Sequence, residues 1–405
     1  MDNGHLIFNG RIFAETAQIE RGYVYIREGR IASIGEDWSG IQASEMTDAK
    51  GLIVAPGLID MHTHGIMDVD FMESSVEDTL RGLHEYARYG VCRVVASTLA
   101  NPPETIIAQV KRLRDAMEDK KIGDMLHGVH IEGPWLAPRC RGGHALEYLR
   151  TPDPREVNRL LGEVGDVIRS VTFAPELPNS VWLTEQLSAR GILPTIGHTE
   201  ASFEEAQAVI LAGARHGTHL YDTNLGYKEN PNEALVMMPG HETALLLHDE
   251  VSVELIGCPV HVPKPFFRFI NKVKPAAKKV IVTDSLVGTG MPEGTVLTYK
   301  DGRRVYVEEG VLRMIDDDPK VNGNLTGSAV TLNVALRRLR EYCGITTDEA
   351  LKWGTINPAT TLGINRETGS LKVGKLADLL IMDDMFNAKR TLVKGRTVYD
   401  SRNNA

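Results

Sequence analysis

The chain has 405 residues, 42% of them hydrophobic and 24% charged, which is ordinary globular material able to bury a large core. A formal charge of −9 with no long run of one sign excludes a nucleic-acid surface, which meets phosphate with clustered Lys and Arg. No apolar run approaches the roughly 20 residues that span a bilayer, no basic stretch leading into an apolar core opens the chain, and Cys92, Cys140, Cys258 and Cys343 form no Cys-x-x-Cys pair. These features predict a cytoplasmic protein with no nucleic-acid or membrane partner.

In chain order, residues 5 to 55 read as short strands separated by turns: His5-Leu6-Ile7-Phe8 before Asn9-Gly10, Gly22 to Ile26 before Glu28-Gly29, and Ile31 to Gly35. Asn-Gly and related dipeptides between β-rich runs are a strong short-range hairpin signal. The other end has the same texture, with strands at Ala377 to Met382, Thr391 to Val393 and Arg396 to Tyr399 and a Lys394-Gly395 turn. Neither end alone has enough strands for a stable sheet. Residues 1–55 and 366–405 are therefore expected to assemble one small β domain between them.

Residues 56–365 change to strand, loop and helix, repeated. Strand candidates are Gly57 to His64, Val91 to Thr98, Met125 to Glu132, Ile168 to Glu176, Ile192 to His198, Gly217 to Asp222, Ser252 to His261 and Lys279 to Asp284. Helical periodicity separates most of them, as at Val76 to Tyr89, Thr105 to Met117, Pro154 to Gly162, Ser202 to Gly213 and Lys264 to Lys274. The expected fold is α/β: a (β/α)8 TIM-type barrel with a small β-sandwich domain built from both chain ends. In such barrels the chemistry sits at the C-terminal ends of the strands.

Those ends carry polar residues. The first strand closes on His62 and His64, which project from one face because side chains alternate, and two imidazoles on one face make half of a site for zinc or iron. The third ends in Glu132-Gly133-Pro134, the fifth in Gly197-His198-Thr199, the sixth in Thr218-His219, the seventh in His261 and the eighth in Thr283-Asp284-Ser285. His5, His84, His127, His216, His241 and His248 read as packing or surface. His130 shares a face with Glu132 and is a candidate support for it from a lower layer of the barrel.

The segments PGLIDMHTHG, HIEGPWLAP, RGGH, TFAPE, IGHTEA, GTHLYD, PVHV, VTDSLVGTGMPEG, GNLTGSAVTL and INPATTLGINRETGSLKVGKLADLLIMD run in this order over almost the whole chain. They resemble the amidohydrolase superfamily and, within it, the N-acetylglucosamine-6-phosphate deacetylases. The resemblance implies a homodimeric, metal-dependent hydrolase that cleaves the amide of an N-acetyl amino sugar phosphate. Glu132, His198 and His219 match the metal ligands, one carboxylate and two imidazoles that leave a position open for water. His62 and His64 match the pair that holds a second ion, so one or two divalent ions are expected, zinc first, with iron or another divalent metal as the alternative. Asp284 matches the aspartate that accepts the proton of the attacking water and returns it to the leaving amine. His144 and His261 match positions that contact the sugar or polarise the carbonyl.

The chain departs from this pattern after the sixth strand. Relatives typically continue THLYNAM and then Arg-x-Pro-Gly, the arginine binding phosphate across a dimer; here the chain reads Tyr221-Asp222-Thr223-Asn224-Leu225-Gly226-Tyr227-Lys228 and later Met237-Met238-Pro239-Gly240. Asp222 replaces a neutral amide and Met237 supplies no charge. Asp222, Thr223 and Lys228 are the substrate-contact candidates in this stretch, with Lys228 a replacement cation for the phosphate. Two other readings stay open: a related hydrolase acting on a different, unphosphorylated N-acyl amine, and a non-enzymatic scaffold, which the intact ligand set disfavours.

Overall fold

The structure, a computed structural model, describes residues 4–230, 232–299 and 302–404. Leu58–Thr63 is buried at every position, as befits a parallel strand covered on both faces. It opens a parallel sheet that continues through Val91–Ser97, Leu126–Glu132, Ile168–Phe173, Leu193–Ile196, His216–Gly217, Ser252–Ile256 and Lys279–Val282, each strand beside its predecessor. First and eighth strands meet through the Thr283 hydroxyl, which donates to Asp60 at 2.6 Å, and through backbone bonds from Asp284 N to His62 O and from His64 N to Ser285 O. The result is a (β/α)8 barrel.

Each strand is followed by a helix: Val76–Arg88, Pro103–Met117, Pro154–Val164, Ser180–Ser188, Phe203–Ala212, His241–Leu247, Lys264–Val273 and Leu332–Cys343. Local sequence sets their starts. Ser75 accepts from Asp78 N, and Ser202 with Glu205 makes a reciprocal capping box that satisfies two otherwise unpaired N–H groups. The buried face of Val76–Arg88 presents Leu83, Tyr86 and Ala87 to the barrel wall.

Three strands end three or more residues earlier than the sequence pattern suggests. The fourth stops at Phe173 rather than Glu176, just before Pro175, and the seventh stops at Ile256 rather than His261, before Pro259; proline has no N–H to continue a ladder. The sixth is only His216–Gly217, because His219, Tyr221 and Thr223 adopt left-handed backbone angles and turn the chain out of the sheet. His261 and Glu176 therefore lie on loops. His216, expected ahead of the strand, lies in it.

Two excursions leave the barrel on the side where the strands end. Tyr227–Glu229 pairs with Met237–Pro239 in a hairpin after the sixth strand. Val296–Thr298, Arg304–Glu308, Val311–Ile315 and Leu325–Ser328 form a four-stranded antiparallel sheet between the eighth strand and its helix.

The chain ends share one sheet of eight strands among the described residues. His5–Phe13, Gln18–Arg27, Arg30–Gly35, Glu45–Asp48 and Ile53–Pro56 come from the start of the chain, and Leu379–Met382, Ala388–Val393 and Arg396–Asp400 from its end. The halves join where Ile53–Pro56 runs antiparallel to Leu379–Met382. Asn9-Gly10 does not make the hairpin its sequence suggests: Asn9 takes φ 58° inside the first strand, where the register to the second strand shifts, so the dipeptide makes a bulge. Lys394-Gly395, with φ 48° and 75°, does turn between the last two strands.

A buried ion pair ties this sheet to the barrel. Arg93, in the second barrel strand, donates to Asp378 Oδ2 at 2.7 Å and 3.1 Å, and the Thr368 hydroxyl and Lys394 N complete the carboxylate's partners. Removing one member of a buried pair strands the other charge, so Asp378→Ala is expected to cost about 3–5 kcal/mol. A lowered urea midpoint, compared with an exposed-site control such as Glu77→Ala, measures it.

Candidate active site

The barrel strands deliver their polar ends to one point. Glu132 ends the third strand and is 2% exposed. Its Oε1 lies 3.2 Å from His62 Nε2, His198 Nε2 and His219 Nε2, while its Oε2 lies 3.1 Å from His64 Nε2 and 3.4 Å from His144 Nε2. Asp284 Oδ1 is 3.3 Å from His62 Nε2 and 3.2 Å from His64 Nε2. His198, His219 and Asp284 all hold positive φ, at 51°, 21° and 46°. Such backbone strain in non-glycine residues gathers where a site is held in place by its surroundings.

Hydrogen bonds behind the rings decide which nitrogen faces inward. His198 Nδ1 donates to the Cys140 carbonyl at 2.7 Å and His219 Nδ1 to the Asp222 carbonyl at 3.2 Å, leaving both Nε2 atoms as bare lone pairs. His62 Nδ1 is 2.7 Å from Glu254 Oε1, which directs its proton outward in the same way. His144 is the reverse case. Its Nδ1 accepts from Ala100 N at 3.0 Å, so Nε2 carries the proton and faces the cavity as a donor; burial holds this imidazole down at about 4 and therefore neutral.

These residues fit a metal. Two sets, His62–His64–Glu132 and Glu132–His198–His219, each bring their ligand atoms within 4.8 Å of one another. His198 Nε2 and His219 Nε2 stand 3.0 Å apart with their lone pairs toward one carboxylate, and His62 Nε2 is buried without a hydrogen-bond partner among the described residues. Converging lone pairs repel unless a cation lies among them. The electrostatics agree: burial alone would push His64 and His219 down, yet the carboxylates of Asp284 and Glu132 for the first, and chiefly Glu132 for the second, hold both up at about 9. A divalent ion answers the same surplus of negative charge.

A cavity opens over this floor. Asp222, Thr223 and His261 line it together with His64 and Asp284, and Leu325 to Gly327 of the inserted sheet also border it. The Gly142-Gly143 loop passes over the ligands. Gly142 has φ 55°, and a Cβ there would meet Thr223 Cγ2 at 2.8 Å and His198 Cε1 at 3.3 Å, so the loop lies this close to the centre only as glycine. Met237 stands 70% exposed on the hairpin and does not border the cavity, and the Lys228 side chain lies outside the described part of the structure.

Sequence reasoning missed Glu254. This buried carboxylate in the seventh strand bridges His62, His216 Nε2 at 3.0 Å and the His219 backbone N–H at 3.1 Å. Its signal was a lone acid inside the apolar run Ser252–Ile256. The carbonyls of Cys140 and Asp222 carry no side-chain signal at all. His130 lies below His62, ring centroids 4.4 Å apart, bonded to Ser97 and Thr172.

With a barrel of this kind and a carboxylate shared by two ligand groups, the chain matches the amidohydrolase family over residues 53–398 and belongs to it. Within the family it is 28% identical, over 98% of both chains, to an N-acetylglucosamine-6-phosphate deacetylase of Lysinibacillus sphaericus. It is 27% identical, over 97% of this chain and 98% of the other, to an N-acetylgalactosamine-6-phosphate deacetylase of Escherichia coli O157:H7. Among solved structures, the N-acetyl-D-glucosamine-6-phosphate deacetylase of Mycobacterium smegmatis in complex with N-acetyl-D-glucosamine-6-phosphate superimposes with a TM-score of 0.85 at 28% identity, covering 98% of this chain and 99% of that one.

Because Glu132 belongs to both ligand groups, Glu132→Ala is expected to abolish stoichiometric divalent metal at both, whereas His84→Ala, on an exposed helix position, keeps it. Elemental analysis of the purified proteins checks this.

Proposed function

We propose that the chain is a metal-dependent amide hydrolase that converts N-acetylglucosamine 6-phosphate to glucosamine 6-phosphate and acetate. The observation that carries this reading is the convergence of the His62–His64 and His198–His219 pairs on Glu132, beside Asp284, at the floor of one cavity. The substrate follows from the names of relatives aligned over nearly the whole chain.

In this reading Glu132, His198 and His219 hold one divalent ion and His62 and His64, with Glu132, a second, zinc being the first choice and iron the alternative. Bound there, the metal supplies Lewis acidity, acidifying a water and polarising the amide carbonyl. Asp284 accepts the proton of the attacking water and passes it to the nitrogen as the C–N bond breaks. His144 Nε2–H, fixed by Ala100, and His261 across the cavity donate to the sugar and to the developing oxyanion. Asp222 and Thr223 border the distal end. In the same reading the two ends of the chain, 1–55 and 366–405, are one small β domain beside a barrel spanning 56–365.

No helix among the described residues is long and apolar enough to cross a membrane, and the described cysteines are free, three of them buried, which supports a cytoplasmic setting. A homodimer is supported by the hairpin after the sixth strand, where Tyr227, Leu235 and Met237 are 62%, 95% and 70% exposed. Exposed apolar patches of this kind mark interaction sites.

Asp284→Asn is expected to keep fold and metal and to lower kcat by roughly 10²–10⁴, since the amide cannot accept the proton; stopped assays of amine release with matched metal content measure it. An unchanged kcat removes Asp284 from the reaction.

A second reading, a substrate lacking the phosphate, is favoured by Asp222 at the cavity wall. An amine-release screen over N-acetylglucosamine and N-acetylgalactosamine, each with and without a 6-phosphate, separates the two. If Lys228 anchors the phosphate, Lys228→Ala raises KM for the phosphorylated sugar alone. If the unphosphorylated amine is the substrate, kcat/KM favours it already in the unaltered protein.

A further inference from the structure

We propose that Glu254 is a positioning residue that determines whether the centre retains its second divalent ion, acting through His62; this rests on the two-ion reading above. Glu254 sits on the seventh strand, 2% exposed, at the back of the cluster rather than on the cavity wall. Both of its oxygens are committed. Oε1 faces His62 Nδ1 at 2.7 Å and accepts from the His219 backbone N–H at 3.1 Å, and Oε2 faces His216 Nε2 at 3.0 Å. His216 is anchored in turn through Nδ1, 2.8 Å from the Ser252 hydroxyl. These bonds hold the carboxylate in one orientation.

Its effect on His62 follows from the ring's chemistry. A neutral imidazole carries one proton, and only the nitrogen without it can ligate. With Glu254 behind the ring, the proton stays on Nδ1 and Nε2 presents its lone pair 3.2 Å from Glu132 and 3.3 Å from Asp284. Without that carboxylate the strongest acceptors left to His62 are Glu132 and Asp284 themselves. The proton then moves to Nε2 to reach them, and the ring that ligated becomes a donor that blocks the position.

Charge acts in the same direction. Glu132, Glu254 and Asp284 bring three carboxylates together, and one divalent ion offsets two of them. The third makes a second cation favourable at a cluster whose histidines and Glu132 are buried. The selectivity is also geometric: Glu254 touches His219 only at its backbone and has no contact with His198, whose ring is fixed by the Cys140 carbonyl. Its loss should fall on the ion of His62 and His64 and spare the other.

The test is metal stoichiometry of the full chain loaded with zinc and dialysed, read by elemental analysis and competitive chelator titration. The unaltered protein is expected to hold two equivalents. Glu254→Gln and His64→Ala should each hold one, with affinity for the second ion lowered about 10–100-fold or more, as for other residues that orient a ligand from behind. Circular dichroism verifies the fold. If Glu254→Gln does not fold, Glu254→Asp serves: it keeps the charge but falls short of His62, and should weaken the second ion selectively. The inference is overturned if the unaltered protein binds a single ion, if either Glu254 variant binds two with unchanged affinity, or if both ions weaken equally. Amine release is scored separately, so a protein with the expected stoichiometry and no deacetylation would remove the proposed substrate and leave the role of Glu254 standing.

Discussion

A single buried carboxylate governs the arrangement of this centre. Nitrogens of His62, His64, His144, His198 and His219 lie 3.1–3.4 Å from the oxygens of Glu132. Taking a carboxylate out of water is costly unless charge and hydrogen bonds replace the lost hydration. The replacements come from the first strand, the segments after the fifth and sixth strands, and the loop after the third. Closing the barrel and satisfying Glu132 are therefore the same event, and a strand displaced from the barrel is also a ligand withdrawn.

Around that carboxylate the fold works mostly by fixing orientation. Two backbone carbonyls and one buried acid set the proton positions of His198, His219 and His62. One step further down, Thr172 joins His130, Thr195 and Thr218 through hydroxyl contacts of 2.7 Å. These hydroxyls are uncharged and add no charge that would compete with the candidate metal site above them. The difference in polarity between the layers matches what each one does, since the upper layer attracts a cation and the lower layer holds the upper one still.

The eight-unit pattern was readable because barrel strands are short apolar runs that repeat with helices between them, and each polar end stood out against its run. Glu132, His198, His219 and Asp284 were visible for that reason. Glu254 was not, since one acid within an apolar strand looks the same whether it faces solvent, an ion or a histidine. The carbonyls of Cys140 and Asp222 left no trace, because a backbone acceptor has no residue type. Asn9-Gly10 misled for a related reason: the dipeptide signals positive φ, and a bulge needs it as much as a hairpin does. The strand ends at Phe173 and Ile256 were written in Pro175 and Pro259, but the polar residues beyond them drew the boundary too far.

The sheet shared by the two chain ends has a consequence for how the protein is made. Ile53–Pro56 is hydrogen-bonded on one edge to Leu379–Met382, which emerges from the ribosome more than three hundred residues later. Until then the N-terminal strands present an open edge flanked by Ile53, Val54 and Ala55, which are fully buried in the finished fold. Unpaired apolar edges of this kind are where nascent chains stick to one another. The last thirty or so residues thus act as a cap on synthesis. A chain cut short before Leu379 would carry every residue of the candidate metal site and still leave that edge exposed.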